Sequence, residues 1–114
     1  LRYDRCVTWT IRFFDGQIEE DILAMSDGFV ARFLRYAERM EIYGPDLGMP
    51  HARAMGDGLF ELRIKAPEGI ARVFYVTQVR RRIVFLHQFV KKADKTPIRE
   101  LKLARKRMKE LSHV

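Results

Sequence analysis

Leu59-Phe60-Glu61-Leu62-Arg63-Ile64-Lys65 alternates strictly, with Phe60, Leu62 and Ile64 on one side and Glu61, Arg63 and Lys65 on the other. That period of two is the mark of a strand with one buried face. Ala66-Pro67-Glu68-Gly69 then supplies turn chemistry, and Ile70 to Gln78 forms a second strand whose stretch Ile70–Val76 is apolar on both faces except for Arg72. A third strand, Arg82 to Val90, follows a tight turn near Arg80-Arg81. Connections this short require antiparallel neighbours. With residues 66–69 as the loop, Lys65 pairs with Ile70 and Arg63 falls opposite Arg72; a register slipped by one residue separates the two arginines.

Outward from this meander, Cys6 to Phe14 is rich in β-branched and aromatic residues and stops at Asp15-Gly16, so it reads as a first strand. Gln17 to Met25 carries Glu19, Glu20 and Asp21 where negative charge favours the first turn of a short helix. Ser26 or Asp27 can cap a second helix, whose Phe29, Val30, Phe33, Leu34, Ala37 and Met40 recur at three and four. Glycines and prolines crowd Tyr43 to Gly58, which reads as a loop. Thr96-Pro97 opens a last helix to about Leu111, with Ile98, Leu101, Ala104 or Arg105, Met108 and Leu111 inward. The expectation is one α+β domain over residues 1–114. Its two layers are a largely antiparallel four-stranded sheet and, over one face, two N-terminal helices and one C-terminal helix.

A chain of 114 residues has room for one hydrophobic core. No run of about 18 apolar residues and no signal-like start is present, so a cytoplasmic protein with no membrane association is expected. Cys6 is the only cysteine, and His51, His87 and His113 are scattered, so neither a disulfide nor a cysteine-based zinc site can be built, and no metal or cofactor is expected. Cys6 itself reads as a small buried hydrophobe. The net charge of +7 is uneven: residues 1–57 hold seven Lys/Arg against ten Asp/Glu, residues 58–114 fifteen against five. So basic a pole on a small domain suits a polyanion or an acidic protein, although a solubilising surface has the same composition.

Two arginines directly opposite on a sheet repel, by up to about 1 kcal/mol. An anion between them removes that cost, which makes Arg63, Lys65 and Arg72 candidates for a phosphate-binding face. A salt bridge from Arg72 to Glu61 or Glu68 is the structural alternative. His87 breaks the apolar run Ile83–Leu86 and, with a two-residue turn at Arg80-Arg81, shares a face with Arg72; a hydrogen-bonded core histidine fits the pattern as well. Lys91, Lys92 and Lys95 lie just past the strand, where their arms reach a bound backbone or simply solvent. A basic cluster also favours the neutral form of its members, so a lysine or histidine there can accept a proton. These groups suit metal-independent RNA cleavage, in which the 2′-hydroxyl attacks phosphorus and fixed cations stabilise the added negative charge, each by roughly 3 kcal/mol. Phosphate-loop, dinucleotide, HExxH and Gly-x-Ser-x-Gly motifs are absent. Glu19, Glu20 and Asp21 fan around a helix and make no metal cluster.

The blocks Gly58–Ile64, Ala71-Arg72-Val73-Phe74-Tyr75 and Ile83–Lys92, with Lys95-Thr96-Pro97 after them, together resemble the phage-derived, HigB-like branch of the RelE/ParE toxin superfamily. The resemblance runs from about Cys6 to Leu111. It implies a microbial-RNase-type fold, cleavage of messenger RNA in the ribosomal A site, and a cognate antitoxin, usually of helix-turn-helix type. By position, the basic pair on the second strand and the arginine on the third that contact the scissile phosphate in RelE-type members match Arg63, Lys65 and Arg72. A further basic residue matches Lys91 or Lys92. The C-terminal tyrosine of RelE has no counterpart in Thr96-Pro97-Ile98-Arg99, leaving His87, Lys95 and Tyr75 as substitutes for acid or base. The expected catalytic set is therefore Arg63, Lys65, Arg72, His87 and Lys92, with Lys91, Lys95, Arg99 and Tyr75 on the RNA. Rival readings are a ParE-type gyrase poison and a non-enzymatic basic adaptor of phage origin.

Overall fold

The computed structural model describes residues 8–91 and 97–111. Among them the order is β1 (Thr10–Phe13), α1 (Gly16–Leu23), α2 (Asp27–Tyr43), β2 (Ala52–Gly56), β3 (Leu59–Ala66), β4 (Gly69–Gln78), β5 (Arg82–Lys91) and α3 (Ile98–Leu111). One five-stranded sheet runs β1-β5-β4-β3-β2. β2 to β5 pair antiparallel, and β1 lies parallel to β5. The expected sheet of four strands is thus five, and mixed. Cys6, the start of the first predicted strand and the Thr96 cap fall outside the described residues.

The extra strand lies in the stretch read as a loop. Ala52-Arg53-Ala54-Met55-Gly56 has weak strand propensity and is held by pairing: Ala52 opposes Leu62 and Arg53 opposes Glu61. Gly56, Asp57 and Gly58, all at positive φ, turn the chain into β3. β1 is parallel because the meander leaves β5 as an edge that β1 joins, while α1 and α2 carry the chain across the sheet to β2 at the opposite edge.

Helices cover both faces of the sheet, where one face was expected. On the first face Ile18, Ile22, Phe29, Phe33 and Met40 of α1 and α2 bury Leu62, Ile64, Ala71, Val73, Tyr75, Ile83 and Phe85. On the second, α3 sets Leu101, Ala104, Met108 and Leu111 against Leu59, Phe74, Val76, Val84, Leu86 and Phe89. The cause is in β4 and β5, which are apolar on both sides and would leave Phe74, Val76 and Leu86 in water under a single helical layer. α3 is clipped in place by Arg105, whose Nη2 donates to the Met55 carbonyl (2.8 Å), and by Arg107, whose Nη1 donates to that of Leu86 (2.7 Å).

The helix starts follow from local chemistry. The Asp15 carboxylate accepts from the Ile18 amide (2.9 Å) and caps α1. Ser26 is the N-cap of α2, but its hydroxyl donates to Glu68 in the β3–β4 turn (2.5 Å). That bond, with backbone N–H groups of Glu68 itself and Gly28 and the charge of Arg32, holds the Glu68 carboxyl below its ordinary range. Glu68 therefore ties the turn to α2 and is occupied away from Arg72.

Candidate nucleic-acid interface

β3 and β4 pair as the turn chemistry dictates: Lys65 opposes Ile70 and Arg63 opposes Arg72. The two arginines lie side by side on the face that α3 partly covers. Arg72, 1% exposed, donates from Nη1 to the Glu61 carboxylate at 2.8 Å, and Glu61 is itself fully buried. Arg53 on β2 approaches the same carboxylate oxygen at 3.5 Å. Arg72 is thus an interior guanidinium neutralised by Glu61, the first of the two salt bridges its sequence context allows. Arg63 is half-buried, and its Nε is enclosed with no hydrogen-bond partner among the described residues. Lys65 is exposed.

His87 reaches this face by an indirect route. Gln78 pairs with Arg82, so the connection Val79-Arg80-Arg81 has three residues where two were expected. Arg80 and Arg81 both take positive φ, 66° and 57°. A bulge at Leu86 absorbs the additional residue, so that Tyr75 opposes Phe85 while Phe74 opposes His87 and Arg72 opposes Phe89. The imidazole stacks on Phe74 (6.4 Å between centroids, 10°) and on Phe89 (6.0 Å, 26°). Its Nε2 lies 2.6 Å from Glu100 Oε1 in the first turn of α3. His87 combines the two sequence readings: it shares the basic face and is a hydrogen-bonded, largely buried histidine.

Tyr75 requires correction as an RNA contact. The strand alternation puts it on the opposite face, fully buried in the α1/α2 core, where its hydroxyl donates to the Pro45 carbonyl at 2.6 Å. Burial raises its phenol pKa well above the ordinary value of 10, so it offers no proton to a substrate. Arg99 lies in the first turn of α3, highly exposed, with Nε 3.7 Å from Glu100. The Lys91 backbone pairs with Ile70 at the end of β5. The Lys91 side chain, Lys92 and Lys95 lie outside the described residues.

Residues that the sequence did not point to also gather here. Glu100 belongs to the site because α3 folds back over β5, a contact no spacing rule connects to His87. Arg53 enters through β2. Tyr36 of α2 and His51 meet at the sheet margin next to Arg63 and Lys65.

Three helices over the two faces of a five-stranded mixed sheet, with Arg63, Lys65 and Arg72 on its β3–β4 pair, define a small α+β domain. Residues 20–109 match the family model described as phage-derived protein Gp49-like (DUF891), and the chain belongs to that family, a type II toxin family related to the RelE-like toxins. No curated protein matches the chain. Among the described residues no helix is long and apolar enough to cross a membrane.

Proposed function

We propose that the chain is the toxin of a type II toxin–antitoxin pair and acts as an endoribonuclease that cuts messenger RNA on the ribosome without a metal. The observation that carries this reading is the direct opposition of Arg63 and Arg72, with Lys65 two residues further along β3. Glu61 already balances Arg72 inside the protein, which leaves Arg63 and Lys65 as the cations of this strand pair that can meet an external anion. Membership of the Gp49-like family supports the toxin part of the reading.

The residues divide the work by exposure. Lys65 and Arg63 meet the phosphate, and each positive charge stabilises the more negative pentacoordinate phosphorus more than the ground state. Arg72 acts from beneath: paired with Glu61, it fixes the β3–β4 face without touching the substrate. His87, clamped by Glu100, stands at the same end of the sheet as the first turn of α3, which carries Arg99. The 2′-oxygen forms a bond to phosphorus, the bond to the 5′-oxygen breaks, and one proton leaves the hydroxyl while another reaches the departing oxygen. The antitoxin, of helix-turn-helix type on this reading, neutralises the basic pole or docks on the helices beside it.

The test is a translating extract supplied with the purified chain, in which messenger 5′ ends are mapped, with ribosome-free RNA and Arg63→Ala as controls. Cuts within codons that require ribosomes and fall about 100-fold in the variant are expected. Intact messenger with full-strength binding overturns the enzymatic reading in favour of a gyrase poison or an adaptor.

A further inference from the structure

Just ahead of the start of β2, Tyr36, Pro50, His51, Arg63 and Lys65 line a cleft of about 220 Å³ at the free margin of β3. Its walls are fixed. The Arg63 amide donates to the His51 carbonyl at 2.8 Å, which ties the incoming loop to β3. The Tyr36 hydroxyl lies 3.3 Å from His51 Nδ1, with the two rings 5.2 Å apart and inclined at 42°. One end of the cleft is therefore built of flat rings and a proline, and the other carries a guanidinium and an ammonium. The Arg63 Nε is enclosed and has no hydrogen-bond partner among the described residues, so the guanidinium is not committed to a protein carboxylate there.

Size limits the occupant. Pockets for drug-sized ligands begin at roughly 300 Å³, so this cleft suits one planar unit with an attached anion. We propose that it is a subsite for one nucleotide of single-stranded RNA: the base lies against Tyr36 and His51, and its phosphate engages Arg63 and Lys65. The inference rests on the reading of the chain as an RNA-cleaving toxin, and it adds where a nucleotide beside the cut is held. Because Arg63 belongs to both the cleft and the β3–β4 face, a strand crossing that face enters the cleft at its next nucleotide. Aromatic surfaces hold any base by stacking, so selectivity falls to the polar edge. The Tyr36 hydroxyl engages one ring nitrogen of His51 and leaves Nε2 to present a donor or an acceptor, according to tautomer, to the base.

The experiment uses ribosomes programmed with a 2′-O-methyl messenger, which cannot be cut because the attacking hydroxyl is blocked, carrying a single abasic nucleotide at successive positions. The dissociation constant is measured for the wild type, His51→Ala and Tyr36→Phe. For the wild type, one abasic position should weaken binding about 5- to 150-fold, the range for loss of one stacked base. In His51→Ala that position alone should lose its effect, which a merely structural role for His51 would not produce. Tyr36→Phe, which keeps the ring and the fold, should retain the abasic effect but change the base preference there. Abasic penalties identical in all three proteins overturn the subsite. Ordinary messenger is run in parallel: cleavage with unaltered abasic penalties removes the subsite and leaves the toxin reading standing. A wild type that neither binds nor cuts removes both.

Discussion

Glu61 lies under two arginines, and its burial decides how each neighbouring charge behaves. Removing one partner of a buried ion pair leaves the other charge uncompensated, at a cost of about 3–5 kcal/mol. Glu61→Leu should therefore lower unfolding free energy in denaturant by about that amount, and adding Arg72→Met should restore most of it. Arg63 responds in the opposite sense. Arg63→Ala relieves its repulsion with Arg72, so stability should hold or rise, by up to about 1 kcal/mol, while messenger cleavage falls. A loss of both activity and stability in Arg63→Ala would mean that its positive charge serves the fold. The apposition of Arg63 and Arg72 was legible in the sequence because turn length and strict alternation fix register. Which carboxylate meets Arg72 was not, since Glu61 and Glu68 are both within a few residues and only the bond from Ser26 removes Glu68. The placement of Tyr75 was legible in principle: the parity that puts Arg72 on one face puts Tyr75 on the other.

At the level of elements, the β3–β4 turn is fastened to the start of α2 through a single carboxylate. Its folded pKa lies below the ordinary 4.5, so the ionised form contributes stability above that pH, and the contribution disappears as pH falls through the lower folded value. Glu68→Gln should melt below the wild type at pH 7, and the difference should close in melts taken progressively below pH 4.5. A gap that persists at low pH would assign the effect to packing. Gly28 stands close enough to Glu68 that an added Cβ would meet its carboxylate oxygens at 2.6 and 2.7 Å, so a side chain there would push the carboxylate from its present position. The strands of the meander, α2 and α3 were legible because their periodicity extends over many residues. β2 was not, because Ala52–Gly56 becomes a strand only through its partner β3, and local propensity carries no record of a partner.

For the whole molecule, the stripe along α3 announced which side of the helix is buried from Leu101 onward, although Ile98, expected inward, is exposed, but not which face of the sheet receives it. The missing information was present in β4, whose doubly apolar run demands cover on both sides. Two separate cores result, one on each face, with the sheet as their common wall. The second core reaches Phe89, which pairs with the buried Arg72, and exposure on this face rises along β3 from Glu61 through Arg63 to Lys65. Charge asymmetry between the halves of the chain was visible from composition; the meeting of Arg63, Lys65 and Arg72 on one face depends on the antiparallel return of the meander. The bulge at Leu86 has a mechanical consequence. The hairpin tip carries one residue beyond a two-residue turn, and the bulge returns the strand to phase before His87 and Phe89. It works as an expansion joint: irregularity at Val79–Arg81 is absorbed before it reaches Arg72, and the working end keeps its alignment. Deleting the exposed Val79 should leave Arg80-Arg81 as a two-residue connection already in the backbone shape such a turn needs, with messenger cleavage unchanged and only the melting temperature altered. Loss of cleavage in that deletion would show that the tip and the site move together.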